Sequence, residues 1–252
     1  MIQLSNKTIV VWFSCGAASA VAAKKTIEIY GQRNAIRIVN NPILEEDADN
    51  QRFLKDVEKW LGLPIEYAIN PKYPNHSIVE VFNKRKYMSG VAGAPCTQEL
   101  KKGARKHWEE NNKFDYLVLG FTVDEKKRHD RFILTERSNV LPVLIDANLT
   151  KDDCFKILLS EGIKLPEIYS KGFPNANCIG CVKSSSPNYW AIVKREFPEV
   201  FKQRAEQSRK IGCKLLKDKN KRIFLDELPQ DFIPKKMKAN KIECGIFCEE
   251  KA

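Results

Sequence analysis

Thr8 to Phe13 is an unbroken apolar, β-branched run, the mark of a strand buried on both faces. Small residues from Ser14 to Ala18 follow and read as a turn. Ala20, Ala23, Ile27 and Tyr30 then recur at helical spacing, with Lys24, Lys25 and Glu28 facing out, until Gly31 stops the helix. Ala35 to Val39 forms a second strand. Asp49 or Asn50 caps a helix with Phe53, Leu54, Val57, Trp60 and Leu61 on one face. Gly62-Leu-Pro64 ends it, and Ile65 to Ile69 reads as a third strand.

Strand, helix, strand, helix, strand implies right-handed crossovers and a parallel sheet. Tyr116 to Gly120 and Val140 to Ile145 read as a fourth and fifth strand, and helices are expected over Thr97–Glu110, Lys151–Glu161 and Tyr189–Phe197. The expected fold class is therefore α/β, a doubly wound, mainly parallel five-stranded sheet. Asn70 to Pro95, rich in Pro, Asn, Lys and Gly, reads as a flexible active-site flap. From Lys171 on the strand alternation is lost. The chain then divides into a nucleotide-binding α/β domain over residues 1–170 and a loop-rich, helical, cysteine-containing region over 171–252. There is no internal repeat and no low-complexity segment.

Composition narrows the class. At 252 residues, 43% hydrophobic and 30% charged, the chain can bury a sizeable core, which excludes global disorder and fibres. Lys and Arg exceed Asp and Glu by 43 to 32, a net +11 that favours an anionic partner such as a nucleotide or a nucleic acid. Ile9 to Ala23 is uncharged and follows Lys7, as a secretory signal would, but Ser14, Cys15 and Ser19 interrupt it and charge resumes at Lys24. No run approaches the ~18 apolar residues of a membrane helix. The expectation is a soluble, cytoplasmic protein with no membrane partner. The eight cysteines are mostly scattered, as in a reduced chain with a metal or redox site.

Five segments carry candidate chemistry. Ser14-Cys-Gly-Ala-Ala-Ser19 lies between the first strand and helix, where backbone N–H groups and the helix dipole favour a phosphate. It is neither a Walker A loop nor GxGxxG. Gly120-Phe-Thr-Val-Asp-Glu125, with Arg128 and Arg131, follows the fourth strand. Ligands in open α/β sheets bind beyond the carboxyl ends of the strands, so this loop belongs beside the first. There Asp124 or Glu125 can hold Mg²⁺ or a hydroxyl, and the arginines can grip anionic oxygens. Cys96 opens a predicted helix, a position that stabilises a thiolate. Asn177-Cys-Ile-Gly-Cys181 has the Cys-x-x-Cys spacing of metal, cluster or redox sites. Glu243-Cys-Gly-Ile-Phe-Cys248 offers a nucleophile or a further ligand. His76, His107 and His129 are scattered, and only His129 lies beside one of these loops.

Taken in order, these segments resemble the phosphoadenosine phosphosulfate reductase-like family of the adenine-nucleotide alpha-hydrolase superfamily. Ser14–Ser19 is similar to its pyrophosphate loop and Cys96-Thr-x-x-Leu-Lys101 to its Cys-Thr-x-x-Leu-Lys element. Gly120 to Arg128 resembles its Gly-x-Arg-x-x-Glu-x-x-Arg element, with Thr122 in the place of Arg. Leu141-Pro-Val-Leu-Ile145, Pro166-Glu-Ile-Tyr169, Gly172-Phe173 and Cys178-Ile-Gly-Cys181 follow in the family's sequence.

The resemblance implies an ATP pyrophosphatase, closest to those of DNA phosphorothioation systems. The small-residue loop ending in Ser19 is similar to the ATP-splitting form, and the runs Glu45–Asn50 and Asp226–Leu228 resemble those of defence- and phage-associated members. It implies ATP and Mg²⁺ across Ser14, Cys15, Gly16, Ala17, Ala18, Ser19, Asn40, Gly120, Phe121, Thr122, Arg128 and Arg131, with Ser14, Ser19, Asp124 and Glu125 in catalysis. It also implies a cysteine desulfurase as sulfur donor, and DNA or DNA-modification proteins as partners. A [4Fe-4S] cluster, ahead of zinc, would use Cys96, Cys178, Cys181 and Cys248. The tandem cysteine of the cluster-bearing reductases is absent, because residue 95 is Pro. The alternative within the family is a sulfonucleotide reductase in which Cys244 attacks sulfur and thioredoxin resolves the product, although Phe247 stands where that branch has His. A non-catalytic nucleotide-sensing or DNA-binding subunit is a third reading.

Overall fold

The computed structural model describes residues 2–235 and 237. In chain order the elements are β1 (Thr8–Phe13), α1 (Ala17–Tyr30), β2 (Ala35–Asn40), α2 (Asn50–Leu61), β3 (Ile65–Tyr67) and α3 (Ile78–Arg85). A π-helix (Thr97–Gly103) runs into α4 (Ala104–Asn111), followed by β4 (Tyr116–Val118), α5 (Lys126–Thr135), α6 (Val143–Asp146) and α7 (Lys151–Ser160). The remainder is α8 (Glu167–Ser170), α9 (Pro187–Glu196), α10 (Pro198–Ile211), β5 (Leu216–Asp218) and β6 (Lys221–Ile223).

These elements form two units. The first takes the residues up to Pro42, Ala48–Ile69 and Arg105–Pro166; the second takes Ile43–Asp47, Asn70–Ala104 and the residues from Glu167 on. One crossing falls between Pro166 and Glu167, and two earlier stretches also belong to the second unit.

The first unit is built on a parallel sheet of order β3-β2-β1-β4. Central β1 is buried on both faces, which is why its sequence is continuously apolar. Alternation sends Trp12 and Phe13 to opposite sides. Trp12 meets Trp108 of α4 edge-on at 5.5 Å, whereas Phe13 meets Phe53 of α2 at 6.2 Å. Helices thus cover both faces, the doubly wound arrangement. α1 packs against α6 and α7 through its alanine-rich surface. α2 ends at Gly62, whose left-handed φ of 68° lets its N–H reach Glu58 O at 3.0 Å. Asp49 does not cap this helix by its side chain; its carboxylate accepts from Arg52 Nε at 2.6 Å.

The sheet has four strands, not five. Val140 makes a single parallel bridge to Leu117, after which Pro142, with no N–H to give, breaks the ladder and Val143–Asp146 turns into α6. Burying Val143 and Leu144 satisfies an apolar run equally well in a helix.

In the second unit, the expected flap is organised around α3. Ser77 Oγ accepts from Glu80 N at 3.3 Å, and Ile78, Val81, Phe82 and Met88 enter the core. Glu45 supports the same end, accepting from Ser77 Oγ at 2.5 Å and Ile78 N at 2.9 Å. Asp47 pairs with Lys171 at 2.7 Å. Around α9 and α10, Trp190, Tyr189, Phe173 and Phe201 form a chain of ring contacts. β5 and β6 form an antiparallel hairpin where no strand was expected.

Candidate functional site

In the first unit the turn between β1 and α1 lies at the carboxyl end of the central strand. Cys15 occupies a left-handed conformation, φ 53°, which turns the chain sharply before Gly16, the cap of α1. Ser19 ties the turn together. Its Oγ donates to Gly16 O at 2.9 Å and accepts from Ser14 N at 3.1 Å, and it lies 3.2 Å from Ser14 Oγ. Asn40, at the end of β2, fastens the base by donating from Nδ2 to Phe13 O at 2.8 Å; Cys15 Sγ lies 3.5 Å from the same nitrogen. No side chain caps α1, and its first turn carries no acid. The positive end of the helix dipole therefore lies at this turn with no carboxylate in the first turn to offset it.

The loop after β4 lies directly against this turn. A Cβ on Gly120 would sit 2.8 Å from Ser19 N and 3.0 Å from Ser19 Cα, so only glycine admits the approach. The two loops expected to adjoin are thus in backbone contact. Within the second loop, the expected ligand residues hold mainly one another. Phe121 is buried against His129 and Phe132, with the Arg128 guanidinium 5.2 Å from its ring centre. Thr122 is buried, and its N–H donates to Glu125 Oε2 at 3.5 Å. Glu125 Oε1 accepts from Arg128 at 2.6 Å. Asp124 Oδ2 accepts from Lys151 N at 3.4 Å, and Arg131 is exposed on α5.

Two further groups lie in this region, of which His129 was noted beside the loop in the sequence and Lys151 was not. Lys151, the first residue of α7, has its pKa lowered by burial, opposed by the nearby Glu125 carboxylate. Its position after the Thr150 cap is the only signal it gives. His129 is buried, with Nδ1 3.2 Å from Asp130 Oδ1 and no hydrogen-bond partner at Nε2.

In the second unit, Cys178 and Cys181 are buried and Cys96 is half-buried against the same core. Tyr189 Oη accepts from Cys181 N at 2.7 Å and donates to Cys178 O at 3.3 Å. Burial raises the Tyr189 pKa well above its ordinary value, and Cys181 adds to the shift. Among the described residues, no three His, Cys, Asp or Glu side chains are grouped as a metal site. Cys244 and Cys248 lie outside the described residues.

The neighbourhood does contain a buried cation. Arg204 is 0% exposed and its pKa is lowered by burial, opposed by Glu45, Cys96 and Cys178. One nitrogen donates to Gln207 Oε1, while Nε and Nη2 have no hydrogen-bond partner. Gly180, between the two cysteines, lies against it; a Cβ there would be 3.6 Å from Nε. Thiol donors beside an orphaned guanidinium suit an anionic, thiolate-held cluster and disfavour a bare divalent cation. Cys154, by contrast, is buried on α7 with its thiol pushed up to about 12 by burial, and is an inert core residue.

No protein-family model and no curated protein match the chain. Among solved structures it is similar to "U34-tRNA thiolase NcsA from Methanococcus maripaludis with its [4Fe-4S] cluster". The identity is 12% and the TM-score 0.48, over 82% of this chain and 71% of that one. A likeness at this level says nothing of what this chain acts on. Among the described residues, no helix is long and apolar enough to cross a membrane.

Proposed function

We propose that the chain is an ATP pyrophosphatase that adenylylates a target oxygen for sulfur insertion. The observation that carries this reading is the contact of Gly120 with Ser19, which sets the β4 loop against the N-terminus of α1, a turn tied by Ser14, Gly16 and Ser19 and capped by no side chain. Such a rim of fixed N–H groups suits the β- and γ-phosphates of ATP. The target oxygen attacks the α-phosphorus, the bond to the bridging α–β oxygen breaks, and pyrophosphate leaves. Charge develops on that leaving group, where the loop N–H groups and the helix dipole oppose it. A sulfur nucleophile then displaces AMP from the target. Mg²⁺ would ride on the triphosphate, with Asp124 the carboxylate least engaged elsewhere in the loop. In the proposal the acceptor is a DNA backbone oxygen and the sulfur comes from a cysteine desulfurase. A cluster held by Cys96, Cys178 and Cys181, with Cys248 as fourth ligand, would supply sulfur or electron transfer when bound.

The test is incubation with Mg²⁺ and ATP labelled on the α-phosphate. AMP with pyrophosphate is expected. ADP with phosphate, or binding without turnover in the presence of target and sulfur donor, would overturn the reading. The rival reductase rests on Glu243-Cys-Gly-Ile246. Cys244→Ser separates the two: it should leave AMP release intact in a pyrophosphatase and abolish sulfite release in a reductase.

A further inference from the structure

We propose that the β5–β6 hairpin is a binding element for the phosphate backbone of duplex DNA. The hairpin lies wholly in the second unit. Leu216 is buried and its register partner Ile223 half-buried, so this pair anchors one face, and Lys217 N donates to Ser185 O at 2.9 Å. The next pair along the ladder, Lys217 and Arg222, therefore projects from the opposite, exposed face.

Two features of this ribbon run against its own stability. Lys217 and Arg222 are directly opposite in an antiparallel ladder, where like charges repel. Lys219, at the tip, has φ 49°, a conformation that glycine or asparagine adopts at lower cost. Arg222 is held back on the ribbon by donating to Leu215 O at 3.1 Å, whereas Lys217 and Lys219 are exposed and place cations outward. Lys217, Lys219 and Lys221 make no ion pair among the described residues, whereas Arg209 pairs with Asp226 at 2.9 Å and lies over Phe224. Asp218 is the register partner of Lys221 on the Leu216 side of the ribbon, so the outward face carries Lys217, Lys219 and Arg222 with no acid opposite them in the ladder. A polyanion meeting this face would relieve the repulsion.

The geometry selects the polyanion. A two-stranded ribbon fits the major groove of B-form DNA, whereas the deep, narrow groove of A-form RNA does not admit it. Lys217 and Lys219 carry compact charges on flexible stems rather than planar forks, so the contact is assigned to the phosphates flanking the groove. The inference agrees with a DNA target for the ATP chemistry but does not rest on it, since binding is measured without nucleotide.

The experiment titrates the full chain onto a short labelled duplex of mixed sequence, across a range of salt, by fluorescence anisotropy. The wild type should lose affinity as salt rises, with a log–log slope of about −0.9 for each phosphate contacted. Lys217→Thr/Lys219→Gly should make that slope shallower by about 1.8 and weaken binding roughly sixtyfold near 0.1 M salt. Its urea midpoint should equal or exceed that of wild type, because both substitutions suit the hairpin better than lysine. Absence of binding by the wild type, an unchanged slope in the variant, tighter binding to duplex RNA, or a lower urea midpoint would each overturn the proposal. AMP release measured on the same preparations reports separately on the ATP reading.

Discussion

Gly120→Ala tests whether the contact between the two loops underlies the proposed chemistry. The added Cβ would lie 2.8 Å from Ser19 N, 3.0 Å from Ser19 Cα and 3.1 Å from Ala18 C. All three are backbone atoms, so no side chain can swing away. Carbon contacts settle at about 3.5 Å or more, so the loops must part by roughly half an ångström to an ångström. Overpacking of this kind costs about 1–3 kcal/mol. Displacing the phosphate-facing N–H groups by such a distance should reduce AMP release on the order of 100-fold. Gly62→Ala is the control: its φ is 68° and nothing lies within 4 Å of the new Cβ. It should lose about 1–2 kcal/mol through its backbone conformation and keep full activity. Urea melts and pyrophosphate release on both variants separate the effects. A Gly120→Ala protein with wild-type turnover would refute the argument that this contact forms the site.

Ser19→Ala removes the donor to Gly16 O and the acceptor for Ser14 N, and should cost about 1–3 kcal/mol and at least tenfold in AMP release; a wild-type melt and rate would show that the turn is held by other groups. Cys154→Ala should flatten the alkaline loss of stability. With the folded thiol near 12, the unfolded chain releases its proton first, so wild-type stability falls from about pH 9 upward by as much as ~1.4 kcal/mol per pH unit. Equal slopes in urea melts above pH 9 would contradict this. Arg204→Met should lower the iron retained after anaerobic reconstitution several-fold, while Arg204→Lys keeps most of it; equal iron in wild type and Arg204→Met would remove Arg204 from the site.

The parts of the fold legible in sequence are those in which one environment covers a whole element. β1 is buried on both faces and α2 on one, so a continuous apolar run and a clean helical stripe mark them. Val140 to Ile145 is apolar too, but burial alone does not distinguish strand from helix, and Pro142 decides against the strand. α3 is only eight residues long, and its polar flanks read as loop. The β5–β6 ribbon lacks apolar alternation because Asp218 and Lys221, on the same side as Leu216 and Ile223, are charged. At the site, the neighbourhood of Ser14–Ser19 and Gly120–Arg128 followed from strand topology. The engagement of Glu125 with Arg128, and the burial of Phe121 and Thr122, did not. A charged or polar residue in a loop carries no mark of whether it will meet solvent, a ligand or another residue of the same loop. Arg204 was invisible for a related reason: it lies in a helix rich in charge, where an exposed arginine is the default.

Departures from local preference have the opposite property, since they become visible only in the structure and then point to chemistry. Cys15, Arg204 and Lys219 each occupy a position that their own neighbourhood disfavours: a left-handed turn, an orphaned burial and a left-handed hairpin tip. A consistent fold removes such conflicts unless something else retains them. Asn6, Asn148 and His76 also have positive φ, which asparagine and histidine tolerate, and Lys86 has φ 50° as the residue that closes α3. Cys15, Arg204 and Lys219 fall at three places with separate chemical character: the β1–α1 turn, a thiol-lined core and a cationic ribbon. Each is the place where the proposals above put an anionic group: a nucleotide phosphate, a thiolate-held cluster and a DNA backbone. If the three proposals hold, the net charge of +11 has anionic ligands to meet it at three separate places, and Arg204 and Lys219 are the cations whose placement general solubility does not require.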